Sequence, residues 1–166
     1  MKKSLVLLII LPVLAGLLLV SSQAPARAQE STPDPNLIAL GKALFFDENL
    51  SVNGTQSCAT CHAPEAGFVG PDSLVNAGGA IYQGALPHRF GNRKPPTAAY
   101  AGYSFELYYD ETDQGWFGGM FWDGRATGAV LGDPLAEQAQ GPYLNPLEQA
   151  LPNAQVLCVK VKQAEY

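Results

Sequence analysis

Two cysteines and a histidine form the pattern in this sequence that most directly implies chemistry. Cys58, Cys61 and His62 have the spacing C-x-x-C-H, which is typical of covalent attachment of a c-type haem. Positions i, i+3 and i+4 of a helix share a face, so the three side chains would point the same way. Two thiols could then form thioether bonds with the haem vinyl groups while the imidazole binds the iron. The motif therefore predicts one covalently bound haem c, with His62 as the metal ligand.

Other uses of these cysteines stay open on the sequence alone. A disulfide between Cys58 and Cys61 suits an oxidising compartment, although the chain shows no thioredoxin-like βαβ pattern. A zinc ion could bind the same two thiols together with His88 and Cys158, but the chain has no second closely spaced ligand pair. The agreement between the motif and the export signal described below favours haem.

The ligand opposite His62 would decide what the iron does. Methionine in that position raises the reduction potential and suits electron transfer, whereas an open position suits reaction with peroxide. Met120 and His88 are the candidates. His88 lies in a loop rich in proline, glycine and arginine, where we expect a solvated histidine. We interpret Met120 as a packed side chain, because methionine favours aromatic surroundings and its neighbours are Trp116, Phe117, Phe121 and Trp122.

The N-terminus has the pattern of a secretory signal peptide. Lys2 and Lys3 precede an apolar run at residues 5–20, and Ala28 ends a small-residue site suited to signal peptidase. The run is shorter than the roughly 20 residues that a membrane-spanning helix needs. We expect cleavage after Ala28, export to a bacterial periplasm and no membrane anchor afterwards. An uncleaved N-terminal anchor is the alternative.

Composition and charge restrict the remaining classes of protein. The chain has 166 residues, of which 10 are basic and 15 acidic, so its formal net charge is −5. A chain without a basic cluster does not suit binding to nucleic acid, which needs lysine and arginine at the phosphates. The apolar content of 47% favours a folded globular protein over a disordered one, and the length suits a single domain.

The hydrophobic pattern predicts a mainly α fold with long coil segments. We expect one helix at residues 36–46 and a second from Cys58 to near Gly67. Residues 68–121 show neither helical periodicity nor strand-like alternation of useful length. An irregular segment of this length is commonly functional, and wrapping a cofactor would order it.

Proline signals predict the C-terminal elements. The dipeptides Asp-Pro at 133–134 and Asn-Pro at 145–146 each indicate a helix start, the first for residues 135–140. Pro152 would open a last helix. On that helix we expect Cys158 to be a small buried side chain, and pairing between chains is the other use of its thiol.

Six sequence blocks in order resemble one known family. The chain is similar to the N-terminal haem domain of the bacterial dihaem cytochrome c peroxidases, a family that includes the dihaem enzymes which mature a tryptophan-derived quinone. The resemblance covers residues 37–161, and six ordered blocks are far more specific than C-x-x-C-H alone. The blocks are LGKALFFD at 40–47, SCATCH at 57–62, GNRKPPT at 91–97, FWDGRA at 121–126, QAQGP at 138–142 and LNPLE at 144–148.

The resemblance implies a role for each matching residue. Cys58 and Cys61 would hold the peroxidatic haem, with His62 as its proximal ligand. Glu148 matches the distal glutamate, which takes a proton from one peroxide oxygen and gives it to the other; the alternative is a glutamate favoured by a helix dipole. Trp122 matches the tryptophan between the two haems and would relay electrons; the alternative is an aromatic residue of the core.

The resemblance also implies the reaction and its partners. The whole enzyme would be an oxidoreductase that reduces hydrogen peroxide to water with electrons from a small cytochrome or copper protein, and it could form a homodimer. The alternative is a monohaem c-type electron carrier with His62 and Met120 as iron ligands and no catalysis.

Some positions depart from the family pattern. Lys94 stands where the family has an interdomain calcium ligand and cannot bind calcium, although Asn92 is near. Only one C-x-x-C-H occurs, so we expect the second haem domain to be absent and the chain to be a truncated member. The expected organisation is a signal peptide at 1–28, a disordered lead-in at 29–36 and a cytochrome c-like haem domain at 37–166.

Overall fold

The computed structural model describes residues 34–166, so the expected signal peptide and most of the lead-in lie outside the described residues. Within this range the chain forms five α-helices, a two-stranded antiparallel sheet and several single turns of 3-10 helix, with much coil between them. None of the helices in this range is long and apolar enough to cross a membrane. The elements in chain order are α1 Pro35–Phe46, α2 Cys58–Cys61, α3 Ser73–Ala77, β1 Tyr108–Asp110, β2 Gly115–Phe117, α4 Pro134–Leu144 and α5 Ala154–Gln163.

Helix α1 forms where the hydrophobic pattern predicts it, and its bounds agree with the expected 36–46 to within one residue. The Asp34 carboxylate accepts the Asn36 backbone N–H at 2.9 Å. The proline between them occupies the first turn, where its missing N–H costs no helical hydrogen bond. The Phe45 ring packs edge-on against Phe68 with centroids 6.1 Å apart, so α1 lies against the loop that follows α2.

The second helix is shorter than predicted. Helix α2 ends at Cys61 rather than near Gly67, because a proline at position 64 disfavours helical backbone at the residue before it. Ala63 is accordingly extended, with φ −76° and ψ 128°, and a single 3-10 turn, Pro64–Ala66, follows. Gly67 then adopts left-handed backbone at φ 72° and ends that turn.

The segment 68–121 holds more regular structure than its sequence predicts. Helix α3 is a short turn whose Asp72 cap accepts two backbone N–H groups. Strands β1 and β2 pair antiparallel, with Tyr109 opposite Trp116. Strands of three residues are too short to show apolar alternation, which explains why the pattern misses them.

Helix α4 extends beyond the predicted range of 135–140. Asp133 caps it as expected and accepts the Leu135 N–H at 2.8 Å, but the helix continues to Leu144. The bonds of the next segment explain the extension. Leu151 donates its N–H to the Tyr143 carbonyl at 2.8 Å, and a further N–H satisfies the carbonyl of residue 142, so the last turn of the helix keeps its acceptors paired.

The expected helix start at Asn145 is wrong. Asn145 ends α4 instead, and its N–H is bonded to the Gly141 carbonyl at 3.1 Å. Its side chain accepts the Leu147 N–H at 3.0 Å, which closes a turn rather than opening a helix. This turn carries Glu148 and Gln149.

Helix α5 begins at Ala154, after the Asn153 cap. It lies against the 3-10 turn at residues 48–50, where the Lys160 ammonium donates to the Asn49 carbonyl at 2.7 Å. Cys158 is two positions from Lys160 and lies on a different side of the helix. It is exposed, so the prediction that it is a buried side chain is wrong.

The most deeply buried residues include few large side chains, and several of them are polar. Among residues 34–166, the side chains of Leu50 and Ser51 are less than 2% exposed and almost completely inaccessible. Many members of this buried set come from the segments next to α2, which therefore holds a densely bonded part of the molecule. The set is Leu50, Ser51, Gln56, Ser57, Ala63, Gly70, Ala80, Ala85, Ala126, Gly128, Pro134, Gln149 and Leu151.

Candidate haem site

The two cysteines of the motif lie one helical turn apart on α2. Thr60 holds the start of this turn, since its hydroxyl oxygen accepts the Ser57 backbone N–H at 3.0 Å. The Cys58 carbonyl accepts the His62 N–H at 3.0 Å and closes the turn. Cys58 and Cys61 are both free thiols and partly buried. Local backbone bonds thus fix the spacing of two sulfur atoms and an imidazole.

The His62 ring has one nitrogen engaged and one available. Its Nδ1 lies 3.2 Å from the Phe68 carbonyl oxygen. A carbonyl oxygen only accepts, so this contact requires the proton on Nδ1 and leaves the Nε2 lone pair for a metal. A backbone carbonyl on the second nitrogen is the usual support of a histidine that binds a metal.

A tight loop places the Phe68 carbonyl beneath the imidazole. Phe68 has left-handed backbone at φ 60°, which a residue with a side chain rarely adopts. The loop is closed by the Phe68 N–H, which donates to the Ala63 carbonyl at 2.8 Å, and by the Ala63 N–H, which donates to the Val69 carbonyl at 3.0 Å. These two bonds stabilise the conformation that aims the carbonyl at His62.

Two buried glutamines reach the two sulfur atoms from elsewhere in the chain. The Gln149 amide nitrogen lies 3.8 Å from the Cys58 sulfur, and the Gln56 amide nitrogen lies 3.9 Å from the Cys61 sulfur. Gln149 is 2% exposed and Gln56 5% exposed. The side-chain oxygen of each glutamine is buried and has no hydrogen-bond partner.

The surroundings of the thiols keep them protonated at neutral pH. Burial raises the pKa of Cys61 to about 11, and the nearby Glu148 carboxylate adds to the shift. Burial also raises the pKa of Cys58, although hydrogen bonds from Tyr143 and Gln149 oppose it. Both cysteines are therefore poor free nucleophiles in this fold, unlike the thiols of a redox-active disulfide.

Glu148 lies close to the cysteine and histidine side chains. Burial raises the pKa of its carboxyl group, while the Asn145 amide and the charges of His62 and Arg125 oppose the shift. Asn145 donates to one carboxylate oxygen at 2.6 Å and fixes its direction. The turn after α4 thus brings a carboxyl group with a raised pKa to the C-x-x-C-H motif, although 86 positions separate it from His62.

A glycine allows the Glu148 backbone to pack against the rest of the site. Ala85 donates its N–H to the Glu148 carbonyl at 2.8 Å. A Cβ at the preceding residue, Gly84, would overlap the Leu147 carbonyl group and come within 2.8 Å of the Glu148 carbonyl oxygen. The absence of a side chain at position 84 is therefore required for this approach.

Trp122 lies in a more open part of the molecule. Its side chain is 64% exposed, and its indole N–H donates to the Lys94 carbonyl at 3.0 Å. It lines an open cleft of about 450 Å³ together with Leu107, Trp116 and Phe121. The structure does not place it in the core, so the alternative of a core aromatic residue is wrong.

Arg125 and Asp123 follow Trp122 on the same turn. Arg125 donates to both oxygens of Asp123 at 2.8 Å, and its guanidinium lies 3.6 Å from the centroid of the Phe121 ring. The aspartate and the ring hold this cation in one direction. Its charge, together with that of His62, lowers the pKa of Glu148 against the effect of burial.

Met120 and His88 have different surroundings. Met120 is partly buried and lines a second cleft, of about 430 Å³, together with Phe121 and Trp122. His88 is exposed and has left-handed backbone at φ 61°, in the turn that joins Gln83 to Phe90. The structure therefore places His88 at a surface turn, as expected for a solvated histidine.

The residues considered for calcium and zinc do not form a metal centre with other acidic, cysteine or histidine side chains. Asn92 and Lys94 are exposed. Within residues 34–166, no three such side chains come together in a way that could hold a metal ion. The alternative zinc site at Cys58, Cys61, His88 and Cys158 is thus not formed in this range.

Comparison with known proteins decides the family. The family model for di-haem cytochrome c peroxidase matches residues 35–166, which is the whole of the described chain except its first residue. The chain belongs to the di-haem cytochrome c peroxidase family. The resemblance of the six sequence blocks is thereby confirmed.

Several individual relatives support this membership. The methylamine utilization protein MauG of Paracoccus denitrificans is 39% identical over 140 residues, which are 84% of this chain and 34% of that protein. Cytochrome c peroxidase Ccp of Escherichia coli is 36% identical over 123 residues, 74% of this chain and 20% of that protein. The crystal structure of the diheme peroxidase BthA from Burkholderia thailandensis matches with a TM-score of 0.68 at 35% identity, covering 81% of this chain and 31% of that one.

Two statements follow from these matches. The fold is a haem domain like those of the cytochrome c peroxidases, with five helices and one small sheet in the described residues. The chain spans about a third or less of the length of these relatives. The family is one of enzymes.

The side chains at the site fit the haem c that the family implies. The donor set consists of two free sulfur atoms one helical turn apart and an imidazole whose Nε2 is available. The two partnerless amide oxygens mark a pocket whose polar groups are incompletely satisfied by the protein. Cys58, Cys61 and His62 are the residues that would hold the group.

Sequence reasoning missed the residues that support this donor set. Gln56 and Gln149 are far apart in sequence, and nothing in their local pattern indicates that each reaches a cysteine. The Phe68 carbonyl is a backbone group and leaves no compositional signal, although Gly67 before it predicts a sharp turn. Tyr143, a hydrogen-bond partner of Cys58, lies in the part of α4 beyond the predicted range.

Proposed function

We propose that this chain is the peroxidatic haem domain of a periplasmic di-haem peroxidase, which reduces hydrogen peroxide to water. The observation that carries the proposal is the position of Glu148, a carboxyl group with a raised pKa, beside the C-x-x-C-H motif. The proposed domain is residues 37–166, with residues 1–28 removed as a signal peptide after export. The overall reaction combines hydrogen peroxide, two electrons and two protons to give two water molecules.

The residues of the chain divide this work among them. Cys58 and Cys61 bind the haem through their sulfur atoms, and His62 binds its iron through Nε2. The haem, when bound, supplies the redox-active iron at which the oxygen–oxygen bond of peroxide is reduced. The contact between His62 Nδ1 and the Phe68 carbonyl increases the basicity of the imidazole and holds its ring orientation.

Glu148 acts on protons. As a carboxylate it accepts a proton from one oxygen of peroxide, and as a carboxylic acid it returns that proton to the oxygen that leaves as water. A raised pKa makes the carboxylate a stronger base in the first transfer and brings its pKa closer to the operating pH, where acid–base catalysis is most efficient. Asn145 orients the carboxylate by its hydrogen bond of 2.6 Å.

Electrons reach the domain from outside the site. A small cytochrome or copper protein is the proposed donor, and Trp122 is the proposed relay. The indole ring suits this role, since it is 64% exposed and is held in one direction by the Lys94 carbonyl. A relay residue accepts an electron from the donor protein and passes it to the haem, so its ring has to be accessible to both.

A single substitution tests the proposal. Glu148→Gln keeps the shape of the side chain and removes its ability to accept a proton, so oxidation of the reduced holoprotein by peroxide should slow by roughly 100- to 10,000-fold. Stopped-flow absorbance of the haem bands measures this rate. Glu111→Gln changes an exposed carboxylate in the hairpin turn and should leave the rate unchanged.

Two results would contradict the proposal. One is an unchanged rate in Glu148→Gln, which would remove the proton-transfer role. The other is a parent holoprotein that carries haem but does not react with peroxide, which would leave electron transfer as the function of the domain.

A further inference from the structure

The two buried glutamines near the cysteines have no part in the proton and electron transfers described above. Gln149 and Gln56 each direct an amide nitrogen at one cysteine sulfur, at 3.8 Å and 3.9 Å respectively. Each sulfur of the C-x-x-C-H motif thus has its own amide. The arrangement is paired although the two glutamines come from different segments of the chain.

The direction of the Gln56 amide is fixed by a second acceptor. Its Nε2 donates to the Gln83 carbonyl at 3.2 Å, and a carbonyl oxygen only accepts, so the nitrogen and not the oxygen has to lie on that side. An amide nitrogen carries two hydrogens, and the second remains for Cys61. The backbone N–H of Gln56 is itself bonded to the fully buried hydroxyl of Ser51 at 3.1 Å.

The position of Gln149 is fixed by its backbone. Its N–H donates to the Pro142 carbonyl at 3.2 Å, and its carbonyl accepts the Val52 N–H at 2.9 Å. The second bond joins the segment that carries Gln149 to the segment that leads to Gln56. The two amides are therefore parts of one bonded unit around α2.

Each glutamine leaves its side-chain oxygen buried without a partner. A buried oxygen without a donor lowers stability, and an apolar side chain of the same length would avoid that cost. The amide is thus costly unless its nitrogen end has a use. The nitrogen end of Gln149 meets a single protein group, the Cys58 sulfur.

The chemistry of haem attachment explains why a nitrogen faces each sulfur. A thiol adds across a vinyl double bond: the S–H bond and the carbon–carbon π bond break, a C–S bond forms, and the hydrogen goes to the other vinyl carbon. No electrons are gained or lost. The thiol before this step can donate or accept a hydrogen bond, whereas the thioether after it can only accept. An amide N–H is the partner that suits the product.

We propose that Gln56 and Gln149 are positioning residues for the haem, whose amides donate hydrogen bonds to the thioether sulfurs of Cys61 and Cys58. The inference rests on the covalent haem attachment contained in the proposed function. A donor at each sulfur holds the attached ring in one place and draws electron density away from it. The reduced iron is then stabilised relative to the oxidised iron, as with other hydrogen bonds near a haem.

Isosteric substitutions measure this effect. Methionine matches glutamine in length and has no N–H, so Gln149→Met and Gln56→Met remove the donors with little change of volume. Each should decrease the equilibrium constant for reduction about threefold, a fall in midpoint potential of about 28 mV, since tenfold is 59 mV for one electron. Gln155→Met, at an exposed position of α5, is the matched control and should not change the potential.

A second measurement needs no variant. Resonance Raman spectra of the unmodified holoprotein in H₂O and D₂O should show shifts in the C–S stretching bands, because exchange replaces N–H by N–D at both sulfurs. A merely structural role for the glutamines predicts neither this isotope shift nor a changed potential. The measurement also decides the matter if the methionine variants do not fold.

The outcomes separate this inference from the proposed function. A parent protein without covalent haem on a denaturing gel stained for haem would overturn both. A parent that binds haem and reacts with peroxide, but whose C–S bands are the same in D₂O, overturns the positioning role alone. Equal potentials in Gln149→Met, Gln56→Met and the parent would do the same.

Discussion

Two regions of the molecule differ in how they hold their functional side chains. The thiol region, formed by residues 50–63, 83–85 and 142–151, contains eight of the thirteen buried residues in the described part of the chain and is held by hydrogen bonds between distant backbone segments. The aromatic region, residues 100–122, contains no buried residue among those described, although it has eight exposed aromatic side chains: Tyr100, Tyr103, Phe105, Tyr108, Tyr109, Trp116, Phe117 and Trp122.

The difference indicates what each region requires. The proposed bond formation at two sulfurs and proton transfer at Glu148 would depend on distances fixed to a fraction of an ångström, and buried backbone bonds can provide that. The proposed electron transfer through Trp122 would tolerate a looser arrangement and would need access to a second redox group. Substitutions in the two regions should therefore have different effects.

The largest effect is expected at the cysteines. Replacement of both Cys58 and Cys61 by alanine removes the two atoms that bond the haem, so covalently bound haem should be lost completely. Haem staining after denaturing electrophoresis measures this. Cys158→Ala removes an exposed thiol outside the thiol region and should keep the full haem content; loss of haem there would show that the third cysteine takes part.

The next effect is the pH dependence of the reaction with peroxide. Glu148 can accept a proton only in its ionised, carboxylate form. Burial raises the pKa of this group above the ordinary value of 4.5. The rate should therefore rise with pH through a pKa above 4.5 and then level off. Stopped-flow rates measured from about pH 4 to about pH 8, a range that begins near the ordinary carboxyl pKa, test this expectation. Glu148→Gln should lose this rising limb, and a limb that persists would assign it to another group.

A pair of glycines tests the packing of the thiol region. Gly84→Ala places a methyl group against the Leu147 carbonyl, and the strain should lower the free energy of unfolding by about 1–3 kcal/mol. Gly41→Ala is the matched control, because position 41 lies inside α1 with nothing within 4 Å of a new Cβ. It should raise stability by about 0.5–1 kcal/mol. Denaturant titration of both holoproteins compares them, and equal midpoints would contradict the close packing at Gly84.

In the aromatic region, Met120 distinguishes the peroxidase from an electron carrier. Met120 lines a cleft with Phe121 and Trp122, so Met120→Ala should leave the spin state and the midpoint potential of the haem nearly unchanged. Optical spectra of the reduced protein, with and without carbon monoxide, measure this. Loss of a low-spin, high-potential state would instead identify Met120 as the second iron ligand and favour the monohaem carrier.

The smallest effect on folding is expected at Trp122. Its side chain is 64% exposed, so Trp122→Phe should change the free energy of unfolding by no more than about 0.5 kcal/mol. It should nevertheless slow reduction of the haem by an external donor, because phenylalanine is harder to oxidise than tryptophan. Stopped-flow mixing with a reduced small cytochrome measures the rate, and an unchanged rate would exclude the relay.

Local signals in the sequence predict part of this molecule well. The spacing of Cys58, Cys61 and His62 identifies the haem attachment motif, and the Asp34 and Asp133 caps locate the starts of α1 and α4. These features depend on a few neighbouring residues, so their physics is visible in a short window. The short length of α2 also has a local cause, the proline at position 64, which the prediction did not weigh.

Features that depend on tertiary contacts could not be predicted in this way. The bond between Val52 and Gln149 joins segments that are distant in sequence, and it fixes where Gln149 points. The exposure of Cys158 depends on which face of α5 meets residues 48–50, and an apolar pattern of this weakness does not decide it. The three-residue strands β1 and β2 are stabilised by their pairing, which leaves no alternation to detect.

The Phe68 carbonyl has a consequence for the speed of electron exchange at the site. It accepts the Ala98 N–H at 3.0 Å as well as lying 3.2 Å from His62 Nδ1, so both of its lone pairs are engaged. The contact with Nδ1 therefore restrains rotation of the imidazole ring. If His62 binds the haem iron as proposed, a ligand that need not rotate when its metal gains or loses an electron would keep the reorganisation energy low, and this benefit would derive from one left-handed phenylalanine.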